Sequence, residues 1–389
     1  MKIMQICFAP IVNSAGGAEK VFCNMSNHFI KTKEVIDVCC DDLVGRPFYD
    51  LDEKVKFVNL GEDCDLKIPF SVKVQNEIAR LFRKLGNDIE WPKEVFRRKQ
   101  INGRLKSLLR QEKPDVVVCY ELRSMVAIAE SGFPLSKIVV MFHMDIDSIV
   151  KSLSAKQEQI LHNVRFIQVL LESYKQALIN LGYNNVVCIG NIVPQYEDGD
   201  CYGKEKTIIH VGRLDKNHKR QHLLIEAFSK IAPQYPDWSV KFFGGDSKPK
   251  TYEKELQNLI QKNKLENQVF LMGKTSDIDV ELKKASIFAF PSAYEGFPLA
   301  LTEGMSMGLP AIGFMNCPAV NELIKDSSNG VLCEESVDAL ANALEELMQD
   351  EGKRISYGKQ AKEDMQRYLA DKIYAEWDCL IEEMLQVDN

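Results

Sequence analysis

Short apolar runs alternate with helix-period stretches along most of this chain, and that alternation constrains the fold more than any other feature. The runs near Ile3–Phe8, Val35–Cys40, Asp115–Tyr120, Ile138–Phe142, Arg165–Leu170 and Val186–Ile189 read as buried strands. Strands that are apolar on both faces belong in parallel sheets covered by crossover helices. A polar stretch, Gln195–Gly203, interrupts the pattern and reads as a linker. The alternation then restarts with Thr207–Val211, Ser239–Phe243, Val269–Met272, Ser286–Phe290, Pro310–Phe314 and Gly330–Cys333. At 389 residues the chain is long enough for two domains. The expected class is α/β, with two parallel-sheet domains and a terminal helix pattern from about Asp371 to Leu385.

Composition narrows the function. A net charge of −7 argues against a general nucleic-acid binder. The 11 cysteines are scattered, without a Cys-x-x-Cys pair, and several lie in apolar runs. They read as reduced core thiols rather than a disulfide framework or a zinc site, which points to the cytoplasm. Residues Met1–Pro10 read as a strand and not a signal peptide, because the apolar run is short and a glycine turn follows. No apolar run reaches the roughly 18 residues of a membrane span.

The densest chemistry lies in Glu295-Gly-Phe-Pro-Leu-Ala-Leu-Thr-Glu303, which follows the strand Ser286–Phe290. Pro298 suits the first turn of a helix that continues through Leu299 to Met307 and stops at Gly308-Leu-Pro310. Glu295 then sits in the strand-to-helix loop and Glu303 about one turn inside the helix. The free amides at such a helix start form an anion site suited to phosphate, and a carboxylate on each side can hold neutral hydroxyls. The segment reads as a nucleotide-sugar pocket. Use of the two glutamates as a glycosidase pair would require them to flank one bond, and a phosphate-binding helix start between them argues against it.

Three further elements fit. Gly16-Gly17-Ala-Glu19 follows the first strand, where glycines let backbone approach a diphosphate. Val211-Gly212-Arg213-Leu214 ends a strand, and Lys219 follows in the same polar loop, so two cations can neutralise a leaving diphosphate. His143 ends the strand Ile138–Phe142, the edge at which open α/β sheets hold ligands. Asp145-Ile-Asp147 recurs as Asp277-Ile-Asp279, so neither is read as a metal motif.

The stretch Ser71–Glu112 departs from the alternation. It holds 11 Lys/Arg against 5 acidic residues, so its charge is 11 − 5 = +6. Val74, Ile78, Leu81, Phe82 and Leu85 recur at helical spacing, and Trp91 and Phe96 lie near the basic cluster. Such a helix can rest on an anionic membrane surface, with Arg97, Arg98 and Lys99 as its charged contacts. In the other reading, its apolar stripe packs on the domain.

The segment from Glu295 to Glu303 closely resembles the Glu-x7-Glu signature of the retaining glycosyltransferases of family 4. The likeness continues through Asn316–Ile324 and Asn329–Leu332 and includes Gly17, His143 and Gly212-Arg213-Leu214 with Lys219. It implies a GT-B fold, two Rossmann-like domains facing across a cleft. These are an acceptor-side domain at 1–194, a nucleotide-sugar domain at 204–370, and a helix at 371–389 that crosses back to the first domain. It further implies transfer of a hexose or N-acetylhexosamine from a nucleotide diphosphate sugar, with UDP the expected nucleotide. The acceptor is a hydroxyl of a glycan or lipid-linked glycan of a bacterial surface polysaccharide. The implied location is cytoplasmic, peripheral on the inner face of the membrane.

The resemblance also distributes the roles. Arg213 and Lys219 stabilise the leaving diphosphate. Glu295 and the backbone of Phe297, Pro298 and Leu299 hold the sugar, and His143 stands near the sugar's 6-position. Glu303 holds the ribose, Gly17 meets phosphate, and the backbone around Thr275 meets the base. No metal and no cofactor is implied, because the two cations do that work. Two departures stand out. Arg220 replaces the usual glycine after the lysine, and Met144 separates His143 from Asp145. A GT-B-type sugar-nucleotide epimerase and a non-catalytic sugar-nucleotide-binding protein are the alternatives.

Overall fold

All named strand pairings in the computed structural model are parallel, in two separate sheets. The structure describes all residues except 13–15, 42, 63–66, 85–88, 197–204, 246–250 and 387–389. The chain divides into two units, Met1–Gly190 with Tyr374–Asn389, and Asn191–Ile373. Most of the linker stretch Gln195–Gly203, and Leu85 of the apolar stripe, lie outside the described residues.

The first unit holds β1 (Lys2–Cys7), β2 (Glu34–Cys39), β3 (Lys56–Asn59), β4 (Val116–Cys119), β5 (Ile138–Met141), β6 (Phe166–Val169) and β7 (Val186–Cys188). Their order across the sheet is β3-β2-β1-β4-β5-β6-β7. Every residue of β4, β5 and β6 is buried, as expected of central strands covered on both faces. The sequence reading missed β3. It is a four-residue edge strand with no buried position, so it carries neither an apolar run nor a clean alternation.

The second unit holds β8 (Thr207–Val211), β9 (Ser239–Phe243), β10 (Val269–Gly273), β11 (Ile287–Phe290), β12 (Ala311–Phe314) and β13 (Gly330–Cys333). Their order is β10-β9-β8-β11-β12-β13. The strand order therefore reverses between β1 and β4 in the first unit, and between β8 and β11 in the second. In open parallel sheets, ligands bind outside the C-terminal ends of the strands at such a reversal. The loops carrying Arg213, Lys219 and Glu295 follow β8 and β11.

Close packing fixes one helix in place. The helix Leu299–Ser306 lies against β11 so tightly that a Cβ on Gly304 would come within 2.4 Å of Phe288 Cδ2. The terminal helix, Ala370–Leu385, sends residues into the first unit. Tyr374 donates its hydroxyl proton to the Asn24 carbonyl at 3.1 Å, and Asp378 pairs with His28 at 2.9 Å and Lys33 at 2.5 Å.

The basic stretch forms two helices, Phe70–Lys84 and Pro92–Glu112. On the first, Val72, Asn76, Ala79 and Arg83 are the covered positions, at spacings of four, three and four. The apolar stripe lies on the other side. Phe70 is 80% exposed, Val74 43%, Ile78 47%, Leu81 60% and Phe82 47%. The stripe is therefore not the face by which this helix packs. Arg98, one of three basic residues singled out for membrane contact, points inward instead, pairing with Glu90 and Glu130 at 2.7 Å each. None of the helices among the described residues is long and apolar enough to cross a membrane.

Candidate active site

The loop after β8 is shaped by one carboxylate and one amide. Asp215 accepts the Asn217 and His218 amides on Oδ1, at 3.0 and 2.9 Å, and its carbonyl accepts the Lys219 and Arg220 amides. Buried Gln221 donates to the Arg213 carbonyl at 2.9 Å. Together they turn the chain so that His218 and Lys219 face the loop after β11.

There the two loops meet in an ion-pair cluster. Lys219 Nζ lies 2.5 Å from Glu295 Oε1, and His218 Nε2 lies 3.4 Å from the same oxygen. The Lys219 ammonium also sits 4.6 Å from the Phe290 ring centre, a cation–π contact. His218 stacks on Tyr294 with ring centres 4.5 Å apart. Burial alone would push the Glu295 carboxyl up. The His218 hydrogen bond and the Lys219 charge outweigh it and hold the group below its ordinary range, so Glu295 is ionised.

Arg213 is placed differently. Its side chain is 55% exposed, and the Asp215 carboxylate lies 3.8 Å away. It is thus an exposed cation at the end of β8, held loosely enough to turn toward a ligand. Arg220 occupies the position where the resembling proteins have glycine, and its backbone is left-handed, with φ of 52°. That conformation costs a non-glycine residue on the order of 1–2 kcal/mol. Its guanidinium offsets the strain by donating to the Pro291 and Ser292 carbonyls at 3.0 and 2.8 Å and to Glu335 at 2.5 Å. Arg220 is therefore a clamp on the β11 loop.

The helix start lies where the sequence placed it, shifted by one residue. Pro298 is the N-cap and Leu299 opens a helix that ends at Ser306. Phe297 is buried against Tyr368, edge to face at 5.2 Å. Glu303 is half-buried within the helix, near Tyr196. Burial, then the Glu303 and Asp279 charges, push the Tyr196 phenol up to about 12.

The remaining predicted residues lie elsewhere in their units. Thr275 follows the edge strand β10, exposed, its hydroxyl accepting the Asp277 amide at 3.1 Å. That loop meets the loop after β9, where a Cβ on Gly245 would lie 3.0 Å from Lys274 Cε, and Gly245 O in turn accepts the Leu214 amide of the β8 loop. In the first unit, Gly17 opens the helix Gly17–Phe29 after Gly16, where a Cβ would meet the Glu19 carboxylate at 2.3 Å. His143 follows β5 and stacks on Tyr120 at 5.4 Å.

Four residues escaped the sequence reading. His218 was visible only as one polar residue among several. Gln221 and His210 are fully buried beneath the β8 loop, with His210 bonded to the Ala289 carbonyl at 2.9 Å. Burial pushes the His210 imidazole down to about 4, so it stands neutral behind Lys219. Glu121 stands two residues after β4, as His143 stands two after β5, and could have been found by the same rule.

Residues 196–364 match the family of glycosyl transferases group 1. An uncharacterized glycosyltransferase of Haemophilus influenzae is 25% identical over 95% of this chain and 97% of its own length. A Campylobacter jejuni protein is 22% identical over 98% of this chain and 99% of its own. Its name is GalNAc-alpha-(1->4)-GalNAc-alpha-(1->3)-diNAcBac-PP-undecaprenol alpha-1,4-N-acetyl-D-galactosaminyltransferase. Among solved structures, Anabaena HepE in complex with UDP-glucose superposes with a TM-score of 0.70 at 18% identity, over 100% of both chains.

Proposed function

We propose that this chain, whose residues 196–364 match the family of glycosyl transferases group 1, is a glycosyltransferase of the GT-B fold that carries out the following reaction. It transfers a hexose or N-acetylhexosamine from a UDP-sugar, with retention, to a hydroxyl of a glycan or lipid-linked glycan in bacterial surface polysaccharide assembly. The observation that carries this reading is the buried Lys219–Glu295–His218 cluster beside the helix that starts at Leu299. A fixed ammonium, an exposed guanidinium and helix amides together match the charge that develops on a departing diphosphate. The bond from the anomeric carbon to the diphosphate breaks, the acceptor oxygen bonds the same face of that carbon, and its proton passes to the departing phosphate. No enzyme nucleophile and no metal is needed.

Support for a UDP donor comes from the Anabaena neighbour, solved with UDP-glucose. The lipid-linked acceptor draws on the name of the Campylobacter relative. A screen of UDP-, GDP- and ADP-sugars, read by release of nucleotide and by the anomeric proton coupling of the product, tests the proposal. Turnover restricted to UDP donors with the donor's anomeric configuration is expected. An inverted product, or a free isomerised sugar nucleotide, would refute it.

The exposed stripe on the helix Phe70–Lys84 supports action at a membrane surface. Its apolar side chains would enter the headgroup boundary, with Lys73 and Arg80 beside them and Lys93, Lys99, Lys106 and Arg110 exposed on the following helix. Basic residues near an anionic surface contribute about 1 kcal/mol each. The full chain is expected to sediment with phosphatidylglycerol vesicles at low salt and to be released at high salt. Phe70→Ser with Leu81→Ser is expected to reduce that binding while leaving UDP affinity intact. Equal sedimentation with neutral and anionic vesicles would exclude the surface.

A further inference from the structure

Beneath the loop that follows β8 lie two buried polar side chains that the reaction above does not use. His210, on β8, and Gln221, at the start of the helix Gln221–Ile231, are both fully enclosed. Buried polar groups are costly without partners, so each of their bonds has to be accounted for.

The bonds fix one arrangement. His210 Nδ1 lies 2.9 Å from the Ala289 carbonyl, which can only accept, so the ring proton is on Nδ1. Burial keeps the imidazole neutral, and Nε2 is then an acceptor. The Gln221 amide nitrogen meets it at 3.2 Å as the donor. The same nitrogen donates to the Arg213 carbonyl at 2.9 Å, and the Gln221 amide oxygen accepts the Asp215 amide at 3.3 Å. Turning the Gln221 amide over would set oxygen against two acceptors and its hydrogens against a donor. His210 and the backbone therefore select one face of that amide, and the amide grips the chain on both sides of Leu214. Gly212 makes the room for this. A Cβ there would come within 3.3 Å of His210 Nε2 and 3.6 Å of Lys219 Cε, so the ring lies directly under the cationic loop.

The grip matters most for Arg213. Lys219 is held at its ammonium by Glu295 and the Phe290 ring. The Arg213 side chain is exposed, with a carboxylate 3.8 Å away, so the direction in which it leaves the chain is set by its backbone.

We infer that His210 and Gln221 are positioning residues for the transfer: buried away from donor and acceptor, they aim Arg213 by holding its carbonyl from beneath. The inference rests on the transferase reading above and adds to it the pair that keeps one leaving-group cation in place. A misplaced cation that should meet developing charge slows the chemical step more than it weakens ground-state binding.

Steady-state transfer by the full chain, with a double-mutant cycle on Arg213, tests it. Gln221→Met keeps the length of the side chain without its hydrogen-bonding groups. His210→Phe keeps a ring and loses the acceptor, whereas His210→Gln places a carbonyl oxygen near the Nε2 position. Gln221→Met and His210→Phe should each lower kcat roughly tenfold, the size of one lost hydrogen bond, with KM for the sugar nucleotide changed by less than about threefold. His210→Gln should restore most of that loss. In the Arg213→Ala background, Gln221→Met should lower kcat by less than about twofold further, because the residue it acts through is gone. A purely structural role would give the same tenfold loss in both backgrounds. Melting curves show which variants are folded at the assay temperature, and His210→Phe takes the place of Gln221→Met in the cycle if the latter is not. Equal losses with and without Arg213, unchanged kcat in both Gln221→Met and His210→Phe, or His210→Gln as slow as His210→Phe would each overturn the inference. Turnover by the unaltered chain separates these results from failure of the transferase reading: a chain that turns over no sugar nucleotide refutes that reading and this inference with it.

Discussion

Replacing Lys219 by alanine is expected to cut transfer by roughly 10²–10³ and to lower the melting temperature as well, whereas Arg213→Ala cuts transfer alone. The two cations share a proposed role but not a setting. Lys219 has a side chain only 14% exposed and lies 2.5 Å from Glu295. Its removal takes the ammonium away from a buried carboxylate that His218 Nε2 approaches only at 3.4 Å. Breaking one side of a buried pair typically costs about 3–5 kcal/mol. Arg213 is 55% exposed and 3.8 Å from its carboxylate, a pair of the kind that contributes little to stability. Adding Glu295→Gln to Lys219→Ala should restore part of the melting temperature but none of the transfer. Melting curves and steady-state turnover decide it. Unchanged turnover in both single variants would remove the diphosphate assignment.

Glu303→Ala is expected to weaken UDP binding, and Glu295→Ala to leave it equal or stronger while transfer is lost. Glu303 stands within the helix beside Tyr196 and is assigned the ribose. Glu295 is assigned the sugar, and it also neutralises Lys219. Without Glu295 the ammonium is freed for the diphosphate, so bare UDP meets more positive charge. Calorimetry with UDP on both variants measures this. Lost affinity in Glu295→Ala with normal affinity in Glu303→Ala would reverse the two roles.

Much of this was legible in the sequence, and the gaps have physical causes. The buried strands announced themselves because parallel sheets demand apolar residues on both faces, whereas β3, a short edge strand, makes no such demand. Helix starts were legible to within a residue at Pro298, where proline marks the turn. The Lys219–Glu295 pair was not legible, since 76 residues separate its members and the pairing of β8 with β11 brings their loops together. Arg220 looked like a broken motif because strain in a backbone angle and its relief by a side chain leave no pattern in composition. The stripe beginning at Phe70 was visible as a helical period, but a period does not say which side of a helix is covered. Val72, Asn76, Ala79 and Arg83 decided that.

That same helix governs how the purified protein will behave in a tube. A row of five large side chains, Phe70 at 80% exposure the barest, lies open to water. Such surfaces attract one another when nothing else covers them. Without lipid or detergent, concentrated samples are expected to self-associate through this face. High salt should worsen that by screening the repulsion between neighbouring basic residues. The condition that loosens the protein from a membrane would then be the one that drives it from solution, so a mild detergent rather than salt is the additive for keeping it dispersed.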